Sequence, residues 1–450
     1  MISSSVDIGF FVAFMALLIG SGIYRARRVQ SERGYLLADR NTGLFSLTAT
    51  LVMTEFNTAT LISFASMGYL VGLRALLLPL IFLVGLLFYA AVVAKKWKSY
   101  NGLSVAGFFT ERYGRDIGLF ASITLLLAMA GFSATYVKSL SLLFAPLIPG
   151  VSPWLVSGVL VALVLLMIWR GGLVSIIRTD LVSGVIILAF FPILAFFAGR
   201  GEAPPVIDSN LAAQMLPSRF VISLIVLTMF TYILAPWYGQ KIFAARSEKV
   251  AYRAVGLSAL IVFALYGCVV FSASAMRGVD LTNPEMALGE VILRVLPTGL
   301  RGLGVGILFA ASATTLTGVW SAMCTLVIGD FMKEGASARR SRGLTVCFAL
   351  CSFLLANLFV DRVFDKLILA NIPIAALSFA LLAGFYWKGA TRMGALVSIG
   401  VGWASGLFAY FYFGEVGGYT WYWAIFGIPI IFITGIVSSL LFKRKVAIDF

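Results

Sequence analysis

Leu51–Leu61 reads LVMTEFNTATL, and its fifth residue is a glutamate inside an apolar run long enough to cross a bilayer. A charge at that depth costs about 2.5–3.5 kcal/mol on insertion scales, so intramembrane acids usually face a protein interior or a wet cavity and mark a path for ions or substrate. Asn57, Thr58 and Thr60 follow Glu55 directly and make a polar cluster where a plain span carries leucine. The competing reading is a carboxylate that only binds hydroxyls of neighbouring helices.

The rest of the chain is that of an integral membrane protein. Its 450 residues are 61% hydrophobic and 12% charged, against about 25% charged in soluble domains. Mean hydropathy is +1.00. Strand-like alternation is absent, which argues for an all-α bundle over an outer-membrane barrel. There is no histidine, which removes histidine metal sites, histidine proton relays and Ser-His-Asp chemistry. With no nucleophile–base set either, the chain reads as a non-enzyme. Cys268, Cys324, Cys347 and Cys351 all fall in apolar stretches and read as small buried hydrophobes. The first apolar segment does not read as a signal peptide, because no basic residue precedes it and Arg25, Arg27 and Arg28 follow it.

A spanning helix needs about 20 apolar residues, and thirteen stretches qualify or come close. They are Asp7–Tyr24, Gly43–Leu70, Ala75–Val93, Ile117–Leu143, Pro153–Ile168, Ile177–Phe197, Phe220–Tyr238, Val255–Ala275, Gly304–Phe331, Leu344–Phe359, Leu367–Tyr386, Met393–Phe413 and Trp421–Phe442. With the N-terminus outside, the inner segments hold 25 of the 34 basic residues, Lys241 counted among them. That bias predicts N-out, C-in topology. It also explains the net charge of +15 by topology and attraction to anionic lipid, without nucleic acid. Gly199–Pro205, Leu103–Arg112 and Asp280–Leu296 read as connections; an interfacial segment at Leu103–Arg112 and a short outer helix at Asp280–Leu296 are the alternatives. A cell membrane, such as a bacterial inner membrane, is the expected location. Oligomeric state is not readable.

Three more features interrupt the apolar background. Phe220–Tyr238 carries Thr228, Thr231 and Tyr232 and then Ala-Pro-Trp-Tyr-Gly at Ala235–Gly239. Pro236 removes a backbone donor, so the helix either kinks or breaks with its freed backbone satisfied by protein, water or ligand. Ala310–Ser321 reads AASATTLTGVWS, with Ser312, Thr314, Thr315 and Thr317 in six positions. Thr314 and Thr317 share a face with Ala311 one turn earlier, an oxygen-rich surface suited to Na+ or to helix packing. Asp180 follows Arg178 near one end of its span and either pairs with that arginine or serves function. The Glu55 span is the second and the Pro236 span the seventh. An offset of five inverts orientation, as two repeats of opposite topology require, and interrupted helices at matching positions point to a transport site.

Several stretches in this order resemble the sodium:solute symporter family. They are Gly34–Gly43 (GYLLADRNTG), Thr110–Gly114 (TERYG), Gly171–Gly184 (GGLVSIIRTDLVSG), Ala244–Ser247 (AARS) and Leu296–Asp330. The resemblance implies a LeuT-like 5+5 inverted-repeat core with one extra N-terminal and two C-terminal helices. Residues 1–450 would form one transporter domain: 1–42 an N-terminal helix and inner loop, 43–198 and 219–387 the repeats, 393–450 the last helices and tail. It implies a Na+ site from backbone oxygens of Met53, Phe56 and Ala311 and hydroxyls of Thr314 and Thr315. A possible second Na+ would use Asp180, Thr314 and Thr317, although Gly318 stands where relatives have serine. Val262 falls near the place of a lysine that sugar carriers use, which disfavours a hexose. A solute would lie against Glu55, Asn57, Thr58, Thr60, Thr228, Thr231, Tyr232 and Trp237. The expected function is Na+-coupled symport of a small polar organic solute, an amino acid, carboxylate or vitamin-like molecule, into the cell. The alternatives are H+-coupled symport using Glu55 and a transporter-like solute sensor.

Overall fold

The computed structural model describes residues 4–26, 37–145, 150–168, 172–201, 204–281, 283–332, 338–415 and 418–442. Residues 34–36 of the GYLLADRNTG stretch lie outside these, as do Arg27, Arg28, Arg33, Arg170, Lys333, Lys443, Arg444 and Lys445. Among the described residues the regular elements are helices, apart from one isolated bridge between Thr42 and Ala245. Among the described residues, ten helices are long and apolar enough to cross a membrane, and Ser5–Ser21, Leu44–Glu55 and Pro153–Ile168 are shorter apolar helices. Side chains such as Leu358, Phe411 and Leu441 are exposed on the outside of the bundle, where a bilayer supplies the missing apolar contacts.

The elements that build the core are α1 (Ser5–Ala26), α2 (Leu44–Glu55), α3 (Thr58–Val71), α4 (Leu77–Val92), α5 (Arg115–Phe144), α6 (Pro153–Ile168), α7 (Gly172–Ala198), α8 (Ser218–Tyr232), α9 (Pro236–Phe243), α10 (Glu248–Ser274) and α11 (Leu300–Phe331). Four more helical stretches follow: α12 (Ala338–Leu358), then α13 (Val363–Tyr386), α14 (Arg392–Phe413) and α15 (Tyr419–Leu441). The stretch expected as one span at Gly43–Leu70 is two helices, α2 and α3. The stretch expected at Phe220–Tyr238 is also two, α8 and α9.

Each break has a local cause. After α2, Phe56 leaves helical geometry and Asn57 is extended, with φ −103° and ψ 158°. Asn57 Oδ1 accepts the Thr60 amide at 2.9 Å and the Thr60 hydroxyl at 3.1 Å. It thus caps α3, a preferred role of asparagine. The second break follows from Pro236, which has no amide and sits at the first position of α9, where none is needed. The two broken helices are tied at one end: Thr42 N–H donates to the Ala244 carbonyl at 2.8 Å and Arg246 N–H to the Thr42 carbonyl at 3.0 Å.

Helix α11 runs through the middle of the bundle, with nearly every residue from Gly302 to Ile328 buried. Glycines, alanines and hydroxyl residues fill it, which lets neighbouring backbones come close. The approach is tightest at Gly302, where a Cβ would lie 1.9 Å from the Asp7 carbonyl oxygen. Asp7 is itself buried and accepts the amides of Gly299 at 2.6 Å and Gly302 at 3.2 Å. A carboxylate there satisfies the open amides and the positive end of the α11 dipole.

Three sequence expectations change. Cys324 is buried and Cys268 intermediate, but Cys347 and Cys351 are exposed on α12, whose outer face carries its apolar residues. Asp280–Leu296 is not a plain connection: it holds a turn of 3-10 helix at Pro284–Met286 and a helix at Ala287–Val295. Leu103–Arg112 contributes to a packed helix, Gly107–Tyr113, with Phe109 buried and the Phe108 ring 4.4 Å from that of Phe385.

Candidate ion and solute site

The break between α2 and α3 removes two carbonyls from the helical ladder. In a continuous helix Asn57 N–H would reach Met53 O; it turns instead to Glu55 O at 2.9 Å. Thr60 N–H would reach Phe56 O and goes to Asn57 Oδ1. Helix α11 lies alongside and offers hydroxyls. Thr315 Oγ1 stands 3.1 Å from Met53 O and 3.0 Å from Ala311 O, and Thr314 Oγ1 is 3.4 Å from Ala311 O. A threonine hydroxyl has one proton to donate, so Thr315 cannot satisfy both carbonyls at once. A monovalent cation among these oxygens satisfies all of them, and unwound carbonyls at a half-helix C-terminus are a recurring Na+ environment in transporters. Met53, Ala311, Thr314 and Thr315 are therefore brought together, and Phe56 lies at the same break.

Asp180 does not pair with Arg178. The sequence reading counts Lys241 among the inner basic residues, whereas its side chain is 1% exposed and Nζ sits 2.9 Å from Asp180 Oδ2. The same ammonium donates to Thr54 Oγ1 at 2.5 Å and Thr50 O at 3.0 Å. Thr50 Oγ1 donates to Asp180 Oδ2 as well. Thr317 Oγ1 bonds to the Thr314 carbonyl at 2.9 Å. Gly318 faces Lys241: a Cβ there would lie 3.9 Å from Nζ. Sequence reasoning misses this cluster because Lys241 falls five residues past Pro236, where an interfacial lysine is the ordinary expectation.

On its other side the break opens into a cavity of about 90 Å³. Glu55, Asn57, Thr60, Thr228, Thr231, Tyr232 and Trp237 all line it, as the sequence suggests. Thr58 does not. Its hydroxyl donates to Ser312 Oγ at 2.9 Å and accepts from Ser139 at 3.0 Å, joining α3, α11 and α5. Glu55 is 2% exposed. Its Oε2 accepts from the Tyr232 hydroxyl, and its Oε1 has no hydrogen-bond partner among the described residues. The Glu55 carbonyl accepts the Tyr266 hydroxyl at 2.5 Å and Asn57 Nδ2 at 3.0 Å. Phe64, Phe82, Phe132, Tyr136 and Asn371 also line the wall, in ways the linear sequence does not signal. The Trp237 and Phe132 rings stand 5.0 Å apart.

The chain is similar to known carriers. The chain is 23% identical to the sodium/sialic acid symporter NanT of Aliivibrio fischeri over 72% of its length and 69% of that protein's. It is also 23% identical to the osmoregulated proline transporter OpuE of Bacillus subtilis, over 98% of this chain and 96% of the relative. It is 22% identical to the sodium/mannose cotransporter SLC5A10 of Bos taurus, over 89% of this chain and 78% of the relative. Among solved structures, a Na+-coupled sialic acid symporter in a substrate-bound outward-open state superposes with a TM-score of 0.80 at 16% identity, covering 99% of this chain and all of the other. The nucleobase-cation symporter Mhp1 in a closed conformation gives 0.57 at 16% identity, over 90% and 92%. The fold is therefore LeuT-like. The profile of the Sodium:solute symporter family matches residues 35–402. The chain belongs to the sodium:solute symporter family, and Na+ is its coupling ion.

Proposed function

We propose that this protein is a secondary active carrier that moves a small polar organic solute into the cell together with one Na+, by alternating access. The Na+ ligands are the carbonyls of Met53, Phe56 and Ala311 and the hydroxyls of Thr314 and Thr315. The observation that carries this reading is the break itself: it withdraws the Met53 and Phe56 carbonyls from the helix and sets the former 3.1 Å from Thr315 Oγ1. The solute occupies the adjoining cavity at Glu55, Asn57, Thr60, Thr228, Thr231, Tyr232 and Trp237.

One Na+ is favoured over two. A second ion using Asp180 would compete with the Lys241 ammonium, already 2.9 Å from that carboxylate. Residues 43–198 and 219–387 are read as inverted repeats, supported by helix breaks at corresponding places in each. The distribution of basic residues supports a cell-membrane protein with its N-terminus outside.

Thermal stability of the purified protein in NaCl against KCl at equal ionic strength tests the ion site. A ligand that binds only the folded state stabilises it by mass action. Stabilisation specific to Na+ and lost in Thr315→Ala is expected. Equal stability in both salts, or an undiminished Na+ effect in Thr315→Ala, removes the assignment.

A further inference from the structure

The cavity beside the break carries one carboxyl group and, among the described residues, no basic side chain. The carboxyl is that of Glu55. Its Oε2 is taken by Tyr232, while Oε1 is buried with no partner among the described residues. A buried acceptor left unmade carries its full desolvation penalty until a ligand meets it. Around it stand the rings of Phe64, Phe82, Phe132, Tyr136, Tyr232 and Trp237. Ring faces attract a desolvated cation, and a carboxylate at the end of such a box adds a full opposite charge. The Lys241 ammonium is engaged by Asp180, Thr54 and Thr50 and is not part of the wall.

We propose that the solute is recognised through a cationic nitrogen, set against Glu55 Oε1 with its carbon substituents among the rings. A solute carboxylate finds no basic side chain in this wall, so a compact net cation fits it better than a zwitterion, and an acid or a hexose fits worst. The volume of about 90 Å³ is smaller than the roughly 150 Å³ cavity that holds a benzene, which limits the solute to a few heavy atoms in this state. The inference rests on the carrier reading above and narrows its solute. It also makes the cycle carry two positive charges, one from Na+ and one from the solute.

Three probes of four heavy atoms each test the charge: isopropylammonium, its neutral isostere isopropanol, and the acetate anion, with methylammonium as a smaller cation. Each is titrated to millimolar concentration against thermal stability of the full-length protein, in NaCl and in KCl. A cation is expected to stabilise saturably, with the neutral isostere at least tenfold weaker and the anion inert. Glu55→Gln is expected to bring the cation down to the level of the neutral isostere; a cooperative thermal transition without added ligand reports that it is folded. Should that variant not fold, Trp237→Leu is expected to weaken the cation more than the neutral isostere. An anion or neutral probe that matches the cation overturns the proposal. So does failure of both cations, or a cation preference that survives Glu55→Gln. The salts separate the two readings. A Na+ effect without a cation effect defeats this proposal alone; a cation effect equal in both salts, with no Na+ effect, supports it and defeats Na+ coupling.

Discussion

Lys241→Met tests the buried ion pair most directly. The Lys241 side chain is 1% exposed and that of Asp180 is not exposed at all. Removing the ammonium leaves the Asp180 carboxylate in the bundle core with the Thr50 hydroxyl as its remaining donor. Deleting one partner of a buried pair costs about 3–5 kcal/mol, whereas replacing both by groups of similar volume is often neutral. Lys241→Met and Asp180→Asn should therefore each lower the thermal midpoint in detergent, and the double variant should recover most of the loss. Lys241→Ala adds a second readout. It leaves an oxygen cage of Asp180 Oδ2, Thr54 Oγ1 and Thr50 O with one negative charge and room where the side chain had been. NaCl should stabilise that variant more than the wild type, and Na+ binding should become steeper, because the tethered cation no longer fills the place. Losses that simply add in the double variant, or a Lys241→Met protein as stable as wild type, would refute the reasoning.

Other substitutions separate the roles of neighbouring residues. Thr315→Ser keeps the hydroxyl and should retain Na+ binding, whereas Thr315→Ala should weaken it tenfold or more in a Na+ titration of stability. Asn57→Ala removes the α3 cap and should cost about 1 kcal/mol, seen as a lower thermal midpoint that Asn57→Ser partly restores. Thr58→Val breaks the hydroxyl links to Ser312 and Ser139 and should lower stability while leaving solute selectivity unchanged, since Thr58 is outside the cavity wall. Gly302→Val should prevent α1 from seating on α11 and yield little folded protein, because even a Cβ at Gly302 lies 1.9 Å from the Asp7 carbonyl oxygen.

The parts legible in the sequence are those that break a local rule. Glu55 in an apolar run and Pro236 before a Trp-Tyr pair each violate the pattern of a plain span, and both mark helix breaks at the site. The hydroxyl density of Ala310–Ser321 likewise places Thr314 and Thr315 beside the first break. What stays hidden obeys local rules and acquires meaning only through tertiary contact. Lys241 follows a span, as interfacial lysines do, and only the packing of α9 against α2 and α11 buries it. Phe64, Phe82 and Phe132 look like ordinary lipid-facing or core aromatics until three helices turn them toward one cavity. Thr58 fails in the opposite sense: it belongs by sequence to the polar cluster, but the first turn of α3 rotates it away from Glu55 toward Ser139 and Ser312.

The break also explains how an ion and a solute come to depend on each other. Met53 and Phe56, the proposed ion ligands, flank a stretch that includes Glu55, whose side chain lines the cavity. Closing α11 onto those carbonyls fixes the backbone on either side of Glu55, and so sets the carboxylate that the solute meets. The Glu55 carbonyl is held by Tyr266 on α10 and its carboxylate by Tyr232 on α8, so a residue of 43–198 is fixed by two tyrosines of 219–387. Linkage requires the effect to be reciprocal: whatever factor Na+ adds to solute affinity, the solute adds to Na+ affinity. Tyr232→Phe releases the carboxylate from α8 without touching any Na+ ligand. It should reduce that factor in both directions while leaving Na+ affinity without solute close to wild type. A variant that lowers Na+ affinity in the absence of solute would show that Glu55 serves the ion directly, and that the two sites are one.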